Sequence, residues 1–368
     1  MLKEFKIEPL LRNKAPHQTK AMIAMSGGVD SSVVAVLLHY LGYQVVGVTL
    51  QLYSGDSDLR KGTCCAGQDV YDAKRIAENA GFPHYILNFE EIFKEEVIKD
   101  FADTYMRGET PIPCIKCNQT VKFRDLLQVA KNLGTDVLVT GHYVRRLEEG
   151  GKIILCKSID KSKDQSYFLF ATTREQLKFL RFPLGWFYKN DVRKLAKYFD
   201  LRISEKPDSQ DICFVPKNYS RTIAELAPQS MQKGKIIDIN GKVLGEHNGI
   251  VNFTVGQRRG LGISCNEPLY VIRIDRRNNE VVVGPVNALM QRKVLVRWVN
   301  WLEQPREGME VVVKLRSSHA GSLATIYPTG EHDKSYVVLS DDYFGVSPGQ
   351  ACVVYRGEQV IGGGWICT

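Results

Sequence analysis

Residues 26–32 carry the sequence Ser-Gly-Gly-Val-Asp-Ser-Ser, between a short apolar run at residues 21–25 and an apolar-periodic segment that starts at Val33. This order predicts a strand, a glycine loop and a helix. Glycines let the backbone approach an anion closely, and the N-terminus of the following helix presents unpaired N–H groups. The lysine of a Walker A motif is not part of the pattern. The stretch therefore predicts a phosphate-binding loop of another type, in which Asp30 holds Mg²⁺ or orients the loop.

Strand and helix signals alternate over the first two hundred residues. Further strands are predicted at residues 44–50, 84–87 and 136–140, and helices at residues 69–80 and 123–133. Alternation of this kind is typical of a Rossmann-like parallel sheet with helices on both faces.

Beyond about residue 215 the pattern changes to frequent glycines and short alternating runs. Regularly spaced short strands favour a small β-barrel. The predicted strands lie at residues 294–301, 310–316, 323–327, 335–339, 351–355 and 359–361. We expect three domains: an α/β domain at residues 20–217, a small and mostly β central domain at residues 218–283, and a C-terminal β-barrel at residues 284–368.

The composition is that of a globular protein. The 368 residues are 44% hydrophobic and 24% charged, which disfavours disorder and coiled coil. No apolar run approaches the roughly 18 residues of a membrane span, and the first twenty residues do not resemble a secretory signal. We therefore expect a cytoplasmic protein without a membrane partner. The nine cysteines argue against a disulfide framework, because their number is odd and the expected compartment is reducing.

The net charge of +8 is unevenly distributed. Residues 161–206 contain eleven Lys and Arg against five Asp and Glu, with aromatic residues between them, whereas residues 281–368 contain eight of each. A basic and aromatic segment suits contact with nucleic acid, although a solvated helix face would have the same composition.

The loop at residues 26–32 resembles the PP-loop of the ATP pyrophosphatases, which cleave ATP between its α and β phosphates. Further motifs make the chain, from about Ala21 to its C-terminus, similar to the tRNA-specific 2-thiouridylases. They are Gly108 to Asn118 followed by Lys122 and Phe123, Thr140-Gly141-His142-Tyr143, Lys163-Asp164-Gln165-Ser166-Tyr167, Lys206 to Phe214, and Thr254 to Gly260. The implied fold is a PP-loop domain followed by the two β domains.

The resemblance implies a sulfur transfer. ATP adenylates C2 of the wobble uridine in the anticodon, and a persulfide sulfur on Cys213 replaces the oxygen. Cys117 then forms a transient disulfide with Cys213. A thiolate is a good nucleophile, and persulfide chemistry needs a second thiol, so the residues agree with this scheme. The partners implied are tRNA and a persulfide donor, such as a cysteine desulfurase or a sulfur carrier, and the free protein is expected to be a monomer.

Cys114 departs from the family pattern, because many members have Asp at this position. Together Cys114, Cys117 and Cys213 offer three thiolates, which could hold a [4Fe–4S] cluster that delivers sulfide to the same product. Structural zinc is a further alternative for the Cys114 and Cys117 pair. Cys64 and Cys65 are expected to pack. No chemistry is expected of the others, Cys156, Cys265, Cys352 and Cys367.

The resemblance also implies the ligand contacts. ATP with Mg²⁺ would lie against Ala24, Met25, Ser26, Gly27, Gly28, Val29, Asp30, Ser31, Leu50 and Gly141. The tRNA would meet Lys163, Asp164, Gln165, Arg258, Arg259 and Gln350. His142 would assist activation or positioning. Two other functions stay open at this point: a PP-loop enzyme that amidates or ligates a small molecule, and an RNA-binding module with an inactive nucleotide fold.

Overall fold

The computed structural model describes residues 7–53, 67–208, 212–215, 224, 228–331 and 333–367. The helices in chain order are α1 (Val29–Tyr40), α2 (Gly67–Ala80), α3 (Glu90–Phe93), α4 (Lys99–Met106), α5 (Pro113–Cys117), α6 (Leu127–Asn132), α7 (Arg174–Phe179) and α8 (Lys189–Tyr198). The strands are β1 (Lys20–Ala24), β2 (Gln44–Gln51), β3 (His84–Asn88), β4 (Val137–Thr140), β5 (Val144–Glu149), β6 (Lys152–Lys157), β7 (Leu180–Arg181), β8 (Gly234–Asp238), β9 (Val243–His247), β10 (Tyr270–Asp275), β11 (Glu280–Gly284), β12 (Met290–Trp301), β13 (Met309–Lys314), β14 (Ser322–Pro328), β15 (Lys334–Phe344), β16 (Ala351–Arg356) and β17 (Gln359–Cys367).

The chain divides into two compact units. The first comprises Met1–Glu96, Cys114–Phe214 and Glu358–Val360, and the second comprises Val97–Pro113, Val215–Gly357 and Ile361–Thr368. Because the chain passes between the units more than once, their boundaries do not follow simple sequence ranges. The predicted three-domain division therefore stays a prediction.

The first unit contains the predicted parallel sheet. Its strand order is β3-β2-β1-β4-β7, and each neighbouring pair is parallel. In β1, Ala21 and Ile23 join the apolar core that α1, α2 and α8 complete, while Met22, between them, is also fully buried. A strand buried on both faces is expected where helices cover both sides of a sheet. The prediction of an α/β fold is confirmed.

The sheet order also locates a ligand site. The chain moves outward from β1 through β2 to β3 on one side, and through β4 to β7 on the other. The carboxyl ends of β1 and β4 therefore lie side by side where the strand order reverses, and ligands bind at such a point in open α/β sheets. Residues 25–28 and Gly141 directly follow these two strand ends.

The second unit is mostly β. One sheet has the order β10-β11-β8-β9, and the strands β12-β15-β14-β13-β16-β17 form a barrel that closes through pairing of β12 with β17. Valine, isoleucine and leucine side chains fill its interior. The predicted β-barrel is confirmed.

The last barrel strand is longer than expected, since the prediction ended it at residue 361 and β17 extends to Cys367. The three glycines at 362–364 look like a loop in the sequence. In the barrel, a Cβ at Gly362 would overlap the carbonyl oxygen of Asn300, and a Cβ at Gly364 would lie 2.9 Å from the carbonyl oxygen of Arg297. The glycines therefore permit close strand approach instead of ending the strand.

Three of the cysteines without an expected role have thiols whose pKa is raised by burial. Cys352 is fully buried in the barrel, and burial raises the pKa of its thiol to about 12. Burial also raises the pKa of Cys156 and Cys367. A thiol with a raised pKa forms little of the reactive thiolate. Cys265 is exposed, and Cys64 and Cys65 lie outside the described residues.

Among the helices that the structure describes, none combines the length and the apolar character needed to cross a membrane.

Candidate nucleotide and sulfur-transfer site

The loop after β1 has the geometry of an anion cradle. Gly27 has a φ of +71°, a conformation that favours glycine. The Ser26 backbone N–H donates to the hydroxyl of Ser31 at 3.1 Å, which folds the loop back on itself. Gly28 caps α1 without a side-chain hydrogen bond. The first N–H groups of α1 are therefore directed at the loop, where they and the helix dipole favour a phosphate.

Gly141, which follows β4, closes the cradle from the neighbouring strand. A Cβ at this position would lie 2.9 Å from the Ser31 backbone nitrogen and 3.2 Å from the Asp30 carbonyl carbon. The absence of a side chain therefore lets the end of β4 approach the loop closely. Met25 and Leu50, two further expected ATP contacts, are buried at the ends of β1 and β2.

Asp30 is held by two neighbours. Its two carboxylate oxygens each accept a hydrogen bond from Lys189 Nζ at 2.7 Å, and Oδ1 also accepts one from the Tyr143 hydroxyl at 2.8 Å. Burial and the Asp30 charge raise the pKa of Tyr143, so this hydroxyl keeps its proton. These contacts fit the loop-orienting role. They do not fit direct binding of Mg²⁺, because the ammonium group occupies both carboxylate oxygens.

Lys206 supports the other side of the loop. Its Nζ donates to the Gly27 carbonyl oxygen at 3.0 Å, to Asp69 Oδ1 at 2.5 Å and to Asp72 Oδ2 at 2.9 Å. Burial alone would lower the pKa of Lys206, but the hydrogen bonds to the two carboxylates outweigh it and raise the pKa. Lys206 therefore stays charged and ties the loop to α2.

Asp208 connects with the same network. Its Oδ1 lies 2.7 Å from Lys189 Nζ and 3.2 Å from Arg193 Nη2, and its Oδ2 accepts from Lys163 Nζ at 2.8 Å. Burial alone would raise the pKa of Asp208, but these cations hold it below the usual range. Lys206 therefore connects the chain before Cys213 with Gly27, and Asp208 connects it with Lys189, which binds Asp30.

Cys213 lies near the carboxyl end of β2. The Tyr53 hydroxyl, two residues beyond that strand, donates to the Cys213 carbonyl oxygen at 2.8 Å. The next residue, Phe214, packs edge-on against Phe93 with ring centroids 5.6 Å apart. Cys213 itself is half-buried. Its backbone is therefore held at the ligand edge of the sheet while part of the residue stays accessible. Ser209, Gln210 and Asp211 of the same motif lie outside the described residues.

Cys114 and Cys117 lie on α5, where Cys114 is exposed and Cys117 is buried. A π-helical segment, Asn118–Leu126, follows directly. Its first residue, Asn118, donates to the Phe168 carbonyl oxygen and accepts from Lys122. This segment begins before the predicted helix at residues 123–133 and overlaps its first residues, and π-helical turns are often found at functional sites.

Within the described residues, no group of three or more His, Cys, Asp or Glu side chains is arranged to hold a metal ion. Cys114, Cys117 and Cys213 all belong to the part of the chain that the structure describes, and they do not gather into a cluster site there. We therefore derive no step through a cluster or through zinc.

His142 follows Gly141 and is half-buried between aromatic rings. Its Nδ1 lies 2.7 Å from the Thr140 hydroxyl, and its ring packs edge-on against Phe123 and Phe182. Burial, with a smaller effect from the charge of Lys122, lowers the pKa of His142 to about 3. The ring is therefore neutral near pH 7, which allows it to position groups but not to act as an imidazolium acid.

We expect His142 to take up no proton between pH 5 and pH 9 in the folded protein. Since the unfolded ring has a pKa of about 6.5, the unfolded state binds the extra proton first, and stability should fall as the pH drops from about 6.5 towards 3. Nitrogen-15 NMR of the imidazole rings tests this, with His142→Gln used to assign the signal. A His142 signal that titrates between pH 6 and pH 7 would contradict the expectation.

The residues expected to contact tRNA have different environments. Asp164 accepts hydrogen bonds from the Ser158 and Ser166 backbones, and Gln165 accepts one from the Tyr143 backbone at 2.9 Å. These two side chains hold the loop beside His142. Lys163 contacts Asp208.

Arg258 and Arg259 are exposed on a turn of the second unit. In that unit Gln350 Nε2 donates to the Thr110 carbonyl oxygen at 3.1 Å. Contact of these residues with tRNA stays a prediction.

Many basic side chains in residues 161–206 pair with carboxylates of the protein itself. Among the described residues, at least seven of the eleven have a carboxylate oxygen within 4.0 Å: Lys163, Lys178, Lys189, Arg193, Lys194, Lys197 and Lys206. The local charge count therefore overstates the free positive surface available to a nucleic acid.

The anchoring residues were not predicted from the sequence. Lys206 and Asp208 belong to the motif from Lys206 to Phe214, which implies no role for either of them. Lys189 stands in no motif, and its partner Asp30 is 159 residues away. A buried lysine is rarely unpaired, but the burial of Lys189 is visible only in the fold, so no local signal in the sequence could have identified it.

A parallel α/β sheet with this glycine loop at its switch point defines a nucleotide-binding domain of the PP-loop ATP pyrophosphatase class. Family models match residues 19–217 as a tRNA methyl transferase HUP domain, residues 220–285 as a tRNA methyl transferase PRC-barrel domain, and residues 291–366 as an aminomethyltransferase beta-barrel domain. Relatives named tRNA-specific 2-thiouridylases match the whole chain at 60% to 78% identity, and the chain belongs to that family.

Relatives with that name cover nearly the whole chain. The Wolbachia protein from the Drosophila simulans strain wRi is 78% identical, and the Ehrlichia canis protein is 60% identical, each over 100% of both chains. The Anaplasma marginale protein is 55% identical over 98% of this chain and 94% of its own. A solved 4-thiouridine synthetase in complex with RNA and ATP aligns over 57% of this chain and 51% of its own, with 20% identity and a TM-score of 0.37, and nothing about this chain is inferred from it.

Proposed function

We propose that this protein is a tRNA sulfurtransferase that uses ATP to convert a uridine of tRNA to 2-thiouridine. The observation that carries the proposal is the full-length match to relatives named tRNA-specific 2-thiouridylases, at up to 78% identity among those cited. The target we propose is the wobble uridine of the anticodon. That base lies in a single-stranded loop, so it can leave its stack at a low energetic cost.

The first step that we propose is adenylation. The C2 oxygen of uridine attacks the α phosphate of ATP, pyrophosphate leaves, and the oxygen becomes part of an AMP leaving group. The loop at residues 26–28 and the N-terminus of α1 would hold the phosphates with backbone N–H groups. Neutral His142, at the end of β4, would position the reacting groups by hydrogen bonding.

Sulfur transfer follows in the same scheme. The terminal sulfur of a Cys213 persulfide attacks C2 and AMP departs with the original oxygen. The Cys117 thiolate then attacks the Cys213 sulfur, the sulfur–sulfur bond of the persulfide breaks, and the sulfur stays on C2 as the thiocarbonyl. The product disulfide joins Cys117 to Cys213, and a dithiol or similar two-electron reductant must reopen it before the next turnover.

We propose that Mg²⁺ binds together with ATP and has no direct protein ligand. The phosphate oxygens and water would supply its ligands, since Lys189 occupies both oxygens of Asp30. The metal would neutralise phosphate charge and assist departure of pyrophosphate.

The partners of the proposal are tRNA and a persulfide donor in the cytosol, and the free protein is proposed to act as a monomer. Arg258 and Arg259 are exposed and therefore suited to phosphate contact. Lys163, Asp164, Gln165 and Gln350 complete the proposed tRNA contacts.

A reconstituted reaction tests the function. Purified protein with unmodified tRNA, ATP, Mg²⁺, a persulfide donor and a reductant should form 2-thiouridine, AMP and pyrophosphate in about equal amounts. Nucleoside mass spectrometry measures the first product and chromatography the other two. The same mixture without tRNA is the control. Pyrophosphate release driven by a small acid in the absence of tRNA would contradict the proposal and favour a small-molecule ligase.

A further inference from the structure

Asp208 occupies a junction between three functional elements of the first unit. Lys189, one of its partners, also binds both carboxylate oxygens of Asp30 in the phosphate loop. Lys163, a second partner, begins the Lys163-Asp164-Gln165 motif. Asp208 itself lies five residues before Cys213 in the chain. One carboxylate therefore connects the ATP loop, a segment expected to contact tRNA and the chain that carries the sulfur cysteine.

The burial of these groups gives the junction its strength. Lys189 is 6% exposed, and the Asp208 side chain is 25% exposed. Charges removed from water interact more strongly, and removing one partner leaves the others uncompensated. Lys189 faces Asp30 and Asp208 together, so the positions of these two carboxylates depend on each other.

The helix α8 also holds the backbone that leads to Asp208. Lys189 and Arg193 are one turn apart on α8. Arg193 donates to the carbonyl oxygens of Ser204 and Lys206 at 2.8 Å and 3.2 Å, in addition to its contact with Asp208. The backbone before Cys213 is therefore bound to the same helix that anchors the phosphate loop.

We propose that Asp208 is a positioning residue that couples occupation of the ATP and tRNA sites to the placement of Cys213 for sulfur transfer. The inference rests on the proposed role of Cys213 as sulfur carrier. The chain from Asp208 to Cys213 is five residues long, and Tyr53 holds the Cys213 carbonyl at its far end. Because Asp208 and Cys213 are five positions apart in the chain, they lie at most about 18 Å apart, so the position of Asp208 limits where Cys213 can lie.

The test is the amount of 2-thiouridine formed per AMP in Asp208→Asn. Asparagine keeps the size of the side chain but cannot neutralise Lys163, Lys189 and Arg193. The adenylated uridine should then hydrolyse to uridine and AMP before sulfur arrives. We expect the ratio of 2-thiouridine to AMP to fall at least about fivefold, with AMP formation falling much less. Asp208→Glu keeps the carboxylate and should restore part of the ratio.

Asp191→Asn is the matched control. Asp191 also pairs with a lysine of α8, Lys194, and its side chain is 27% exposed, close to the 25% of Asp208. Its pair does not reach the phosphate loop or the Cys213 segment, and the ratio should stay at the wild-type value.

The outcomes separate the inference from the function. If the wild-type protein releases AMP but forms no 2-thiouridine, the proposed function is wrong. If the wild-type protein is active and Asp208→Asn keeps the wild-type ratio, or loses both products in proportion, the inference is overturned. If circular dichroism shows that Asp208→Asn does not fold, Lys163→Gln tests the inference instead, because the Lys163 side chain is partly exposed. A lowered ratio of 2-thiouridine to AMP in Lys163→Gln supports the coupling, and an unchanged ratio overturns it.

Discussion

Replacing Cys213 with serine is expected to reduce 2-thiouridine formation at least about 1,000-fold while tRNA-dependent release of AMP continues. A serine hydroxyl cannot carry a persulfide, whereas the phosphate loop does not depend on the sulfur atom. The half-buried Cys213 has its backbone held by Tyr53, so the substitution removes the chemistry without removing the contact that positions the segment. Nucleoside mass spectrometry and AMP measurement follow the two products.

Substitutions of the partner thiol, Cys117, and of a control cysteine, Cys265, test the same scheme. Cys117→Ser should also lose multiple turnover when no small thiol is added. Because Cys117 acts only after sulfur has attacked C2, Cys213 should stay joined to the tRNA through the sulfur–sulfur bond, as a covalent complex that a small thiol releases. Cys265→Ser is the control, because Cys265 is exposed in the second unit, and it should keep full activity. Retention of full thiolation by Cys213→Ser with a persulfide donor would show that another group carries the sulfur.

Gly27→Ala is expected to damage both folding and ATP use. The φ of +71° at Gly27 strains any residue with a Cβ, and the added atom would overlap the carbonyl oxygen of Asp69 on α2. We expect a loss of about 2 to 4 kcal/mol in the free energy of unfolding. Displacement of the loop should raise the KM for ATP at least about 100-fold. Denaturant unfolding and pyrophosphate release at varied ATP concentrations measure the two effects.

Gly28→Ala provides the matched control for folding. Gly28 has a φ of −89°, which alanine adopts readily, and its added Cβ would meet only the Ser26 hydroxyl oxygen, at an ordinary 3.5 Å. Since alanine is a poorer N-cap than glycine, the free energy of unfolding of Gly28→Ala should fall by no more than about 1 kcal/mol. If Gly27→Ala is as stable as Gly28→Ala and keeps the wild-type KM, the loop does not have the conformation described.

Parts of the molecule were predictable because their signals are local. The glycine loop, the buried strand before it and the helix after it are adjacent in the chain, so hydrophobic periodicity and glycine placement were sufficient. The barrel strands were predictable for the same reason, apart from the start of β12 and the ends of β15 and β17, which extend beyond the predicted residues. At the end of β17, glycines that allow close strand approach look like a loop in the sequence. The predicted helix began at Phe123, and neither the earlier start at Asn118 nor the π-helical geometry was predicted.

The sequence by itself determined the phosphate loop and the α/β and β-barrel classes, and it supplied the cysteines that we propose for sulfur transfer. Only the tertiary structure decided that Lys189 binds Asp30, that at least seven basic side chains of residues 161–206 meet carboxylates, and that His142 is neutral. The physical reason is distance along the chain. Local patterns act through backbone conformation, whereas ion pairs and desolvation depend on groups brought together by folding, as Lys189 and Asp30 are across 159 positions.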